Sequence, residues 1–186
     1  SGGRTVGKKV AEQLGIPCYD SELIQKIAEE SGFAENYVKE AGEYTPGGFL
    51  SSALSNRAFG PTNEDILWEI QCRVISELAE KGPCVIVGRC ADYILKDQPN
   101  TYSFFIYADD DYRLARAKTH YAGHTIKELD AEDKHREQYY AYYTGRTWGD
   151  PQNYDLMINT SKISLEAAAD LIISYIELRQ KKAAEA

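Results

Sequence analysis

The chain has 186 residues, of which 43% are hydrophobic and 27% are charged. This length and composition predict one soluble globular domain with its own core, and they exclude a disordered chain. No apolar run reaches the roughly 18 residues of a membrane-spanning helix, and a net charge of -8 argues against nucleic-acid binding.

The first half of the chain is predicted to be mainly helical. Apolar residues at helical spacing predict a helix from about Arg4 to Leu14. A second helix is expected over 22–30. Residues 32–61 hold glycines and serines without a strong period, so we expect short helices and loops outside the main core. A clear amphipathic helix is predicted over 62–81.

The second half alternates strands with helices. Buried-type runs predict strands in CVIVGR (84–89), TYSFFIYA (101–108) and YDLMIN (154–159). Helices are predicted over 110–121, over 125–143 and along SLEAAADLIISYIELRQ (164–180). This alternation predicts an α/β fold with a mainly parallel sheet.

The stretch SGGRT at the start is similar to the second half of a phosphate-binding loop, G-x-x-x-x-G-K-[ST]. In this register Gly3 takes the last glycine, Arg4 replaces the lysine, and Thr5 supplies the hydroxyl that reaches Mg²⁺. Glycines let backbone N–H groups turn toward phosphate, and a helix N-terminus adds partial positive charge. Such a loop follows a strand, so we expect a natural first strand before Ser1; a frayed terminus is the alternative.

Charged residues at strand ends and on one helix are further candidates. In parallel sheets ligands bind at the carboxyl ends of the strands, which directs attention to Asp20 and Arg89. A buried arginine needs a partner, so Arg89 either pairs with a structural carboxylate or receives an anion. Asp130, Asp133 and Arg136 are spaced three apart and share one helical face. The alternative for these three is a solvated charged surface.

Aromatic residues follow this charged face, and four cysteines are spread along the chain. The aromatic residues are Tyr139, Tyr140, Tyr142, Tyr143 and Trp148. They either stack on a base or, as we favour for most of them, pack this segment against the body. The cysteines form no C-x-x-C pair, which favours small buried residues in a reducing, cytoplasmic setting over a metal site.

The order of these pieces resembles the cytidylate kinase-like family of P-loop nucleoside monophosphate kinases over nearly the whole chain. The pieces are SGGRT, LGIPCYD, VIVGRCADYIL, YRLAR, D-x-x-D-x-x-R and YDLMINTSKIS. The resemblance implies a three-layer P-loop kinase fold with helices on both faces of the sheet. It implies one domain over 1–186, with a helical acceptor-binding flap at 32–61 and a lid at 122–153.

The resemblance also implies an activity and its residues. The implied reaction moves the γ-phosphoryl group of ATP to a nucleoside monophosphate, CMP or dCMP, with Mg²⁺ as cofactor. The implied ATP phosphate-binding residues are Ser1, Gly2, Gly3, Arg4 and Thr5, of which Thr5 also reaches the metal. The implied acceptor-binding residues are Asp20, Arg89, Asp133 and Arg136. The implied catalytic arginines are Arg4, Arg136 and Arg146, and the arginine-rich helix before the lid supplies Arg113 and Arg116.

Two departures from the family pattern leave other functions open. Cys90 stands where the family's G-R-D motif has an aspartate that helps to read cytosine, and Arg4 replaces the loop lysine. Asp92 would lie roughly 200° further around a helix, so it is not expected to substitute for that aspartate. One alternative is a regulatory module that binds nucleotides without turnover. Another is a kinase for a different small acceptor on the same fold. In each case the expected partners are small-molecule nucleotides.

Overall fold

The computed structural model describes residues 1–20, 23, 26, 30, 63–120 and 123–185. The predicted flap at 32–61 and most of the predicted helix at 22–30 lie outside these residues. The described part is a mixed α/β structure. In chain order its elements are α1 (Gly3–Leu14), β1 (Cys18–Tyr19), α2 (Asn63–Glu80), β2 (Val85–Ile86), α3 (Ala91–Ile94), β3 (Phe104–Tyr107), α4 (Asp110–His120), α5 (Ile126–Thr144), a 3₁₀ turn (Pro151–Asn153), β4 (Leu156–Asn159) and α6 (Leu165–Ala184).

Local capping explains where α5 and α6 begin. The Thr125 hydroxyl accepts a hydrogen bond from the Glu128 N–H, and the Glu128 carboxylate accepts one from the Thr125 N–H at 2.7 Å. This reciprocal pair satisfies two N–H groups at the start of α5. Ser164 caps α6 in the simpler way, since its hydroxyl accepts from the Ala167 N–H at 3.1 Å. The helices predicted over 125–143 and 164–180 are confirmed.

The strands pair in parallel, as predicted, but within the described residues they form two separate pairs. Strand β1 pairs with β2, with Cys18 opposite Val85. Strand β3 pairs with β4 in a four-residue register from Phe104–Leu156 to Tyr107–Asn159. The strand predicted over 84–89 is shorter than expected, because the backbone turns to positive φ at Gly88 (76°) and pairing ends.

Helix α1 lies against both strand pairs. A Cβ on Gly7 would come within 2.9 Å of a Val87 methyl group, so only glycine allows this close approach. Gly3, one turn earlier, lies over Ile106 of β3. On its other side α1 contacts α6, where Lys9 forms an ion pair with Glu166 at 2.7 Å. The start of α1 is therefore fixed near the carboxyl end of β3.

Three apolar clusters support this arrangement. The first joins α2 with α3 and contains Leu23, Leu67, Val74, Ile75, Leu78, Ala91 and Leu95. The second joins α1, β4 and α6 and contains Val6, Val10, Ile158, Ala168, Ala169 and Ile172. The third joins Cys90 to the α5 residues Tyr139 and Tyr140. Among the described helices, none is long and apolar enough to cross a membrane.

Candidate functional site

The start of α1 is a glycine-specific backbone turn. Gly2 has a φ of 87° and is buried. A Cβ at this position would lie 2.9 Å from Leu165 Cδ2 and 3.3 Å from Arg116 Cζ. No side chain of the described residues caps this helix, so the first N–H groups of α1 remain available to a ligand. The start of α1 therefore combines a glycine at positive φ with backbone N–H groups that can donate to an anion.

Thr160 attaches this turn to the end of the neighbouring strands. Its side chain is 1% exposed, and its hydroxyl donates to the Ser1 carbonyl oxygen at 2.6 Å. The same hydroxyl lies 3.1 Å from the Tyr107 carbonyl oxygen at the end of β3. Because Tyr107 is the last residue of β3 and Thr160 follows β4, these contacts hold the glycine-rich segment at the ends of both strands.

Arg116 of α4 lies directly beside this segment. Its Nη2 is 3.4 Å from the Thr5 hydroxyl, and its guanidinium packs against Gly2. Its Nε is buried and has no hydrogen-bond acceptor among the described residues. Within that part of the chain no carboxylate pairs with Arg116. A half-buried cation beside free helix N–H groups makes a site for an anion.

Arg113, one turn earlier in α4, is in the opposite situation. Its guanidinium contacts Asp110 at 2.8 Å, Asp130 at 2.9 Å and Asp133 at 2.7 Å. Its side chain is only 15% exposed. The family resemblance implied the same role for Arg113 and Arg116. In the structure, Arg113 instead belongs to an ion-pair network that joins α4 to α5.

Arg136 and Asp133 are in contact on α5, as the three-residue spacing predicted. Arg136 Nη1 lies 2.7 Å from Asp133 Oδ1, and the Arg136 side chain is 47% exposed. The charges of Arg116, Arg113, Arg136 and Asp133 all act at Ser1, just before α1. These three guanidinium groups therefore act on one place, the start of α1.

Arg4 and Asp20 form an ion pair at the same end of the molecule. Arg4 lies in the first turn of α1, and Asp20 follows β1. The Arg4 side chain is 53% exposed and that of Asp20 is 15% exposed. Two residues that the sequence assigned to different ligands, ATP and the acceptor, are therefore neighbours.

The backbone around Arg89 has an unusual conformation. Arg89 and Cys90 have φ values of 58° and 55°, immediately after Gly88 at 76°. The Arg89 side chain is half-buried. Its positive charge acts on the Tyr139 phenol and the Cys90 thiol and opposes the rise in pKa that burial causes in both groups. Burial raises the pKa of Cys90 to about 12, so this thiol is neutral at physiological pH.

The backbone between Cys90 and Asp92 is not the regular helix that the sequence analysis assumed. Cys90 precedes α3 in a left-handed conformation, so the 200° helical rotation estimated from the sequence does not apply. The Asp92 carboxylate instead accepts a hydrogen bond from the Tyr140 hydroxyl at 2.6 Å. Burial raises the pKa of Asp92. Asp92 therefore links α3 to α5.

Arg146 lies beside α3. Its guanidinium is 5.2 Å from the centre of the Tyr93 ring, and its charge acts on Asp92. The Arg146 side chain also opposes the rise in the pKa of the Tyr140 phenol that burial causes. These contacts group Arg146 with the residues that follow Arg89.

The aromatic residues of α5 and the loop after it pack against the body of the protein, as we favoured for most of them. Trp68 stacks on Tyr143 with ring centres 4.4 Å apart, and Tyr139 contacts Tyr143 at 4.8 Å. Trp148 meets Phe105 of β3 edge to face at 5.1 Å. The C-terminal half of α5 is therefore anchored to α2 and β3.

Two polar residues at the site were not among the sequence candidates. Thr160 is a buried polar residue directly after β4. Gln71 lies on the apolar face of α2, is 2% exposed, and donates to the Arg89 carbonyl oxygen at 3.0 Å. The sequence did contain a signal for Gln71, since an amide side chain at a core position between Leu67 and Val74 is unusual.

Comparisons with known proteins agree with this arrangement. A model of the cytidylate kinase-like family matches residues 1–162. The chain is 26% identical to a cytidylate kinase from Archaeoglobus fulgidus, over 98% of this chain and 92% of that protein. It is 27% identical to a cytidylate kinase from Pyrococcus horikoshii, over 95% of this chain and 83% of that protein.

A solved structure is also similar to this chain in fold and sequence. The crystal structure of an uncharacterized protein from Eubacterium ventriosum is similar, with a TM-score of 0.70 and 31% sequence identity. The match covers 95% of this chain and 91% of that one. With the family model matching most of its length, the chain belongs to the cytidylate kinase-like family.

Proposed function

We propose that this protein is an ATP-dependent nucleoside monophosphate kinase with a three-layer P-loop kinase fold. It transfers the γ-phosphoryl group of ATP to a monophosphate, with CMP or dCMP as the acceptor. One observation carries the proposal: the Arg116 guanidinium lies against Thr5 and Gly2 at the start of α1, without a carboxylate partner among the described residues. Membership of the cytidylate kinase-like family supports the phosphates of a nucleotide as this anion.

The first five residues bind the ATP phosphates in this proposal. The N–H groups at the start of α1, from Gly2 and Gly3 onward, donate to phosphate oxygens, and Arg116 supplies the opposing positive charge. Arg4 can exchange its ion pair with Asp20 for a phosphate oxygen, because its side chain is half-exposed and such pairs are worth little. Ser1 is held at the correct place by Thr160.

The donor groups near Thr5 fit a magnesium ion that arrives with ATP. Magnesium in such sites uses one or two protein oxygens together with substrate phosphates. The Thr5 hydroxyl, which lies in the first turn of α1, is the protein oxygen that would contact the ion. When bound, Mg²⁺ neutralises negative charge on the phosphate oxygens.

The acceptor monophosphate would be held from the other side by Arg89, Arg136, Asp133 and Asp20, with Arg146 nearby. An oxygen of the acceptor phosphate forms the new bond to the γ-phosphorus, and the bond to the ADP oxygen breaks in line with it. The acceptor phosphate is largely ionised at neutral pH, so no general base is required. Catalysis then consists of alignment and of positive charge on the transferring oxygens.

The lid at 122–153 is proposed to close over the two nucleotides and exclude water. Only part of this segment is free to move as a unit, since Tyr139, Tyr140 and Tyr143 are packed into the body. In this proposal the moving part is the charged N-terminal half of α5, which carries Asp133 and Arg136, and its ion pairs with Arg113 of α4 open as it moves. The flap at 32–61 would cover the acceptor base. A cytoplasmic setting supplies both nucleotides.

A second candidate is a regulatory module that binds nucleotides without transferring phosphate. The ion pairs of Arg4 with Asp20 and of Arg136 with Asp133 favour it, because they occupy two of the candidate catalytic arginines. Substitution of the expected aspartate by Cys90 also favours an altered acceptor site.

A coupled ADP-release assay with single monophosphates separates these functions. The protein is incubated with ATP, Mg²⁺ and one of CMP, dCMP, UMP, AMP or GMP, and ATP binding is measured in parallel by calorimetry. We expect ADP release that depends on CMP or dCMP. Release with another acceptor would identify a different kinase, and ATP binding without any acceptor-dependent release would support the regulatory module.

A further inference from the structure

The left-handed turn at Arg89 requires an external constraint. Gly88, Arg89 and Cys90 have successive φ values of 76°, 58° and 55°. For residues with a Cβ atom this region is unfavourable, because the Cβ approaches the backbone carbonyl oxygen. Such a conformation persists only where the surrounding structure enforces it, and it is found at ligand-binding positions.

Gln71 provides a constraint of the right kind. Its amide Nε2 donates to the Arg89 carbonyl oxygen at 3.0 Å, and its side chain is 2% exposed. A carbonyl oxygen can only accept, so the orientation of the Gln71 amide is determined. The next turn of α2 is anchored by Val74 and Ile75, which are 3% and 0% exposed. The donor therefore comes from a rigid part of the core.

Gln71 also lies close to the helix that carries Arg136. Burial raises the pKa of the Tyr139 phenol, and the charge of Arg89 and the nearby Gln71 side chain oppose this shift. Tyr139 lies one turn after Arg136 in α5. A single amide thus donates to the backbone of the candidate acceptor arginine and lies beside the helix of the proposed lid.

We propose that Gln71 is a positioning residue for the acceptor monophosphate. By fixing the Arg89 carbonyl oxygen it selects the left-handed backbone, and this backbone directs the guanidinium toward the acceptor phosphate. The proposal rests on the proposed kinase function. It predicts an effect on the acceptor alone, since Gln71 donates to the Arg89 backbone, whereas ATP would bind at the start of α1.

The test compares Gln71→Met with a core variant of the same helix. Methionine has a similar length and volume but cannot donate to the carbonyl oxygen. We expect the KM for CMP to rise about tenfold or more, because a displacement of about 1 Å can reduce the rate about 10²-fold. The KM for ATP should stay within about twofold of the parental value, because the start of α1 is not displaced. Ile75→Val removes a buried methyl group one turn away and should change neither KM.

A second variant and a second readout complete the test. Gln71→Asn keeps the amide but is too short to reach the same oxygen, and should reproduce the KM split if Gln71→Met does not fold. The three-bond HN–Hα coupling and the Cα and Cβ chemical shifts of Arg89, measured by NMR, report its φ directly. We expect Arg89 to leave the left-handed region in both Gln71 variants.

The outcomes separate the two proposals. If the parent protein is a kinase but the Gln71 variants keep the parental KM for CMP, Gln71 is a structural residue and the positioning role is wrong. Equal changes in both KM values lead to the same conclusion. If the parent has no kinase activity, the proposed function fails, and an Arg89 φ that stays positive in the variants would reject the backbone role as well.

Discussion

Arg136 is held by Asp133, one turn before it in the same helix, at 2.7 Å between Nη1 and Oδ1. The same carboxylate accepts a hydrogen bond from Arg113 of α4 at 2.7 Å. To bind a phosphate group, Arg136 must exchange one anionic partner for another. Because the Arg136 side chain is 47% exposed, the existing ion pair contributes little to stability and the exchange is inexpensive.

Replacing Arg136 by alanine is therefore expected to reduce catalysis and leave the fold intact. Arginine clamps on a transferring phosphoryl group are worth about 10³-fold or more in rate, so the kcat of Arg136→Ala should fall by about that factor. Arg136→Lys should recover part of it, because lysine cannot bind two oxygens in a planar fork. Steady-state kinetics and thermal melting measure both effects.

Arg179→Ala is the matched control for this variant. Arg179 lies in α6, outside the proposed site. Its side chain is 48% exposed and contacts Asp155 at 2.9 Å, so its environment is similar to that of Arg136. Its substitution should leave kcat unchanged. Equal kcat values for Arg136→Ala and the parent protein would make Arg136 a solvated surface charge.

The contrast between Arg116 and Arg113 gives a second prediction. Arg116→Ala should weaken ATP binding by about tenfold or more, since a charge-assisted contact is worth about 1.5–3 kcal/mol. Its melting temperature should change little. Arg113→Ala should instead lower the free energy of unfolding by about 1–2 kcal/mol, because three partly exposed carboxylates lose their cation.

Calorimetric titration with ATP and chemical unfolding measure these two properties independently. A loss of stability in Arg116→Ala with unchanged ATP affinity would assign Arg116 a structural role and remove the principal support for the phosphate site.

Arg4 tests the lysine position of the loop. Arg4→Ala should reduce turnover strongly, while the melting temperature stays near that of the parent, because Arg4 is 53% exposed in its pair with Asp20. Arg4→Lys should retain activity, since lysine is the residue that this loop position commonly holds. The result against this role would be a large loss of stability in Arg4→Ala without a loss of turnover.

Asp92 gives a prediction about pH. Burial raises the pKa of Asp92 in the folded protein, so its contribution to stability is complete below the unfolded value of 3.8 and is lost as the pH rises through the folded value. Asp92→Asn cannot ionise, and its side-chain oxygen can still accept from Tyr140. The melting temperature of Asp92→Asn should therefore increase relative to the parent between pH 4 and pH 7.

Thermal melts of the two proteins across this range measure the difference, in which the other titrating groups largely cancel. A constant difference would show that Asp92 has the same pKa in the folded and unfolded states.

The order of elements could be predicted from the sequence because it depends on local patterns. The apolar period of α2 and the capping pair of Thr125 with Glu128 are local features, and both appear in the structure. The short β2 was not predictable from its apolar run. Strand β2 ends where the left-handed turn at Gly88 begins. In that turn the Arg89 carbonyl oxygen accepts a hydrogen bond from Gln71 of α2, which is distant in the chain.

The candidate site was predictable as a list of residues but not as a set of partners. Arg113 and Arg116 look equivalent in YRLAR, and only the approach of α5 gives one of them three carboxylates. The pairs Arg4–Asp20 and Asp92–Tyr140 join residues that are distant in the chain or belong to different elements. Such contacts depend on packing, which no local pattern encodes.

Direct product analysis tests the central claim, phosphoryl transfer from ATP to a nucleoside monophosphate. The protein is incubated with ATP, Mg²⁺ and an equimolar mixture of CMP, dCMP, UMP and GMP, and the nucleotides are separated by ion-exchange chromatography. We expect CDP or dCDP in an amount equal to the ADP formed. Unchanged nucleotides, or ADP accompanied by inorganic phosphate without any new nucleoside diphosphate, would contradict it.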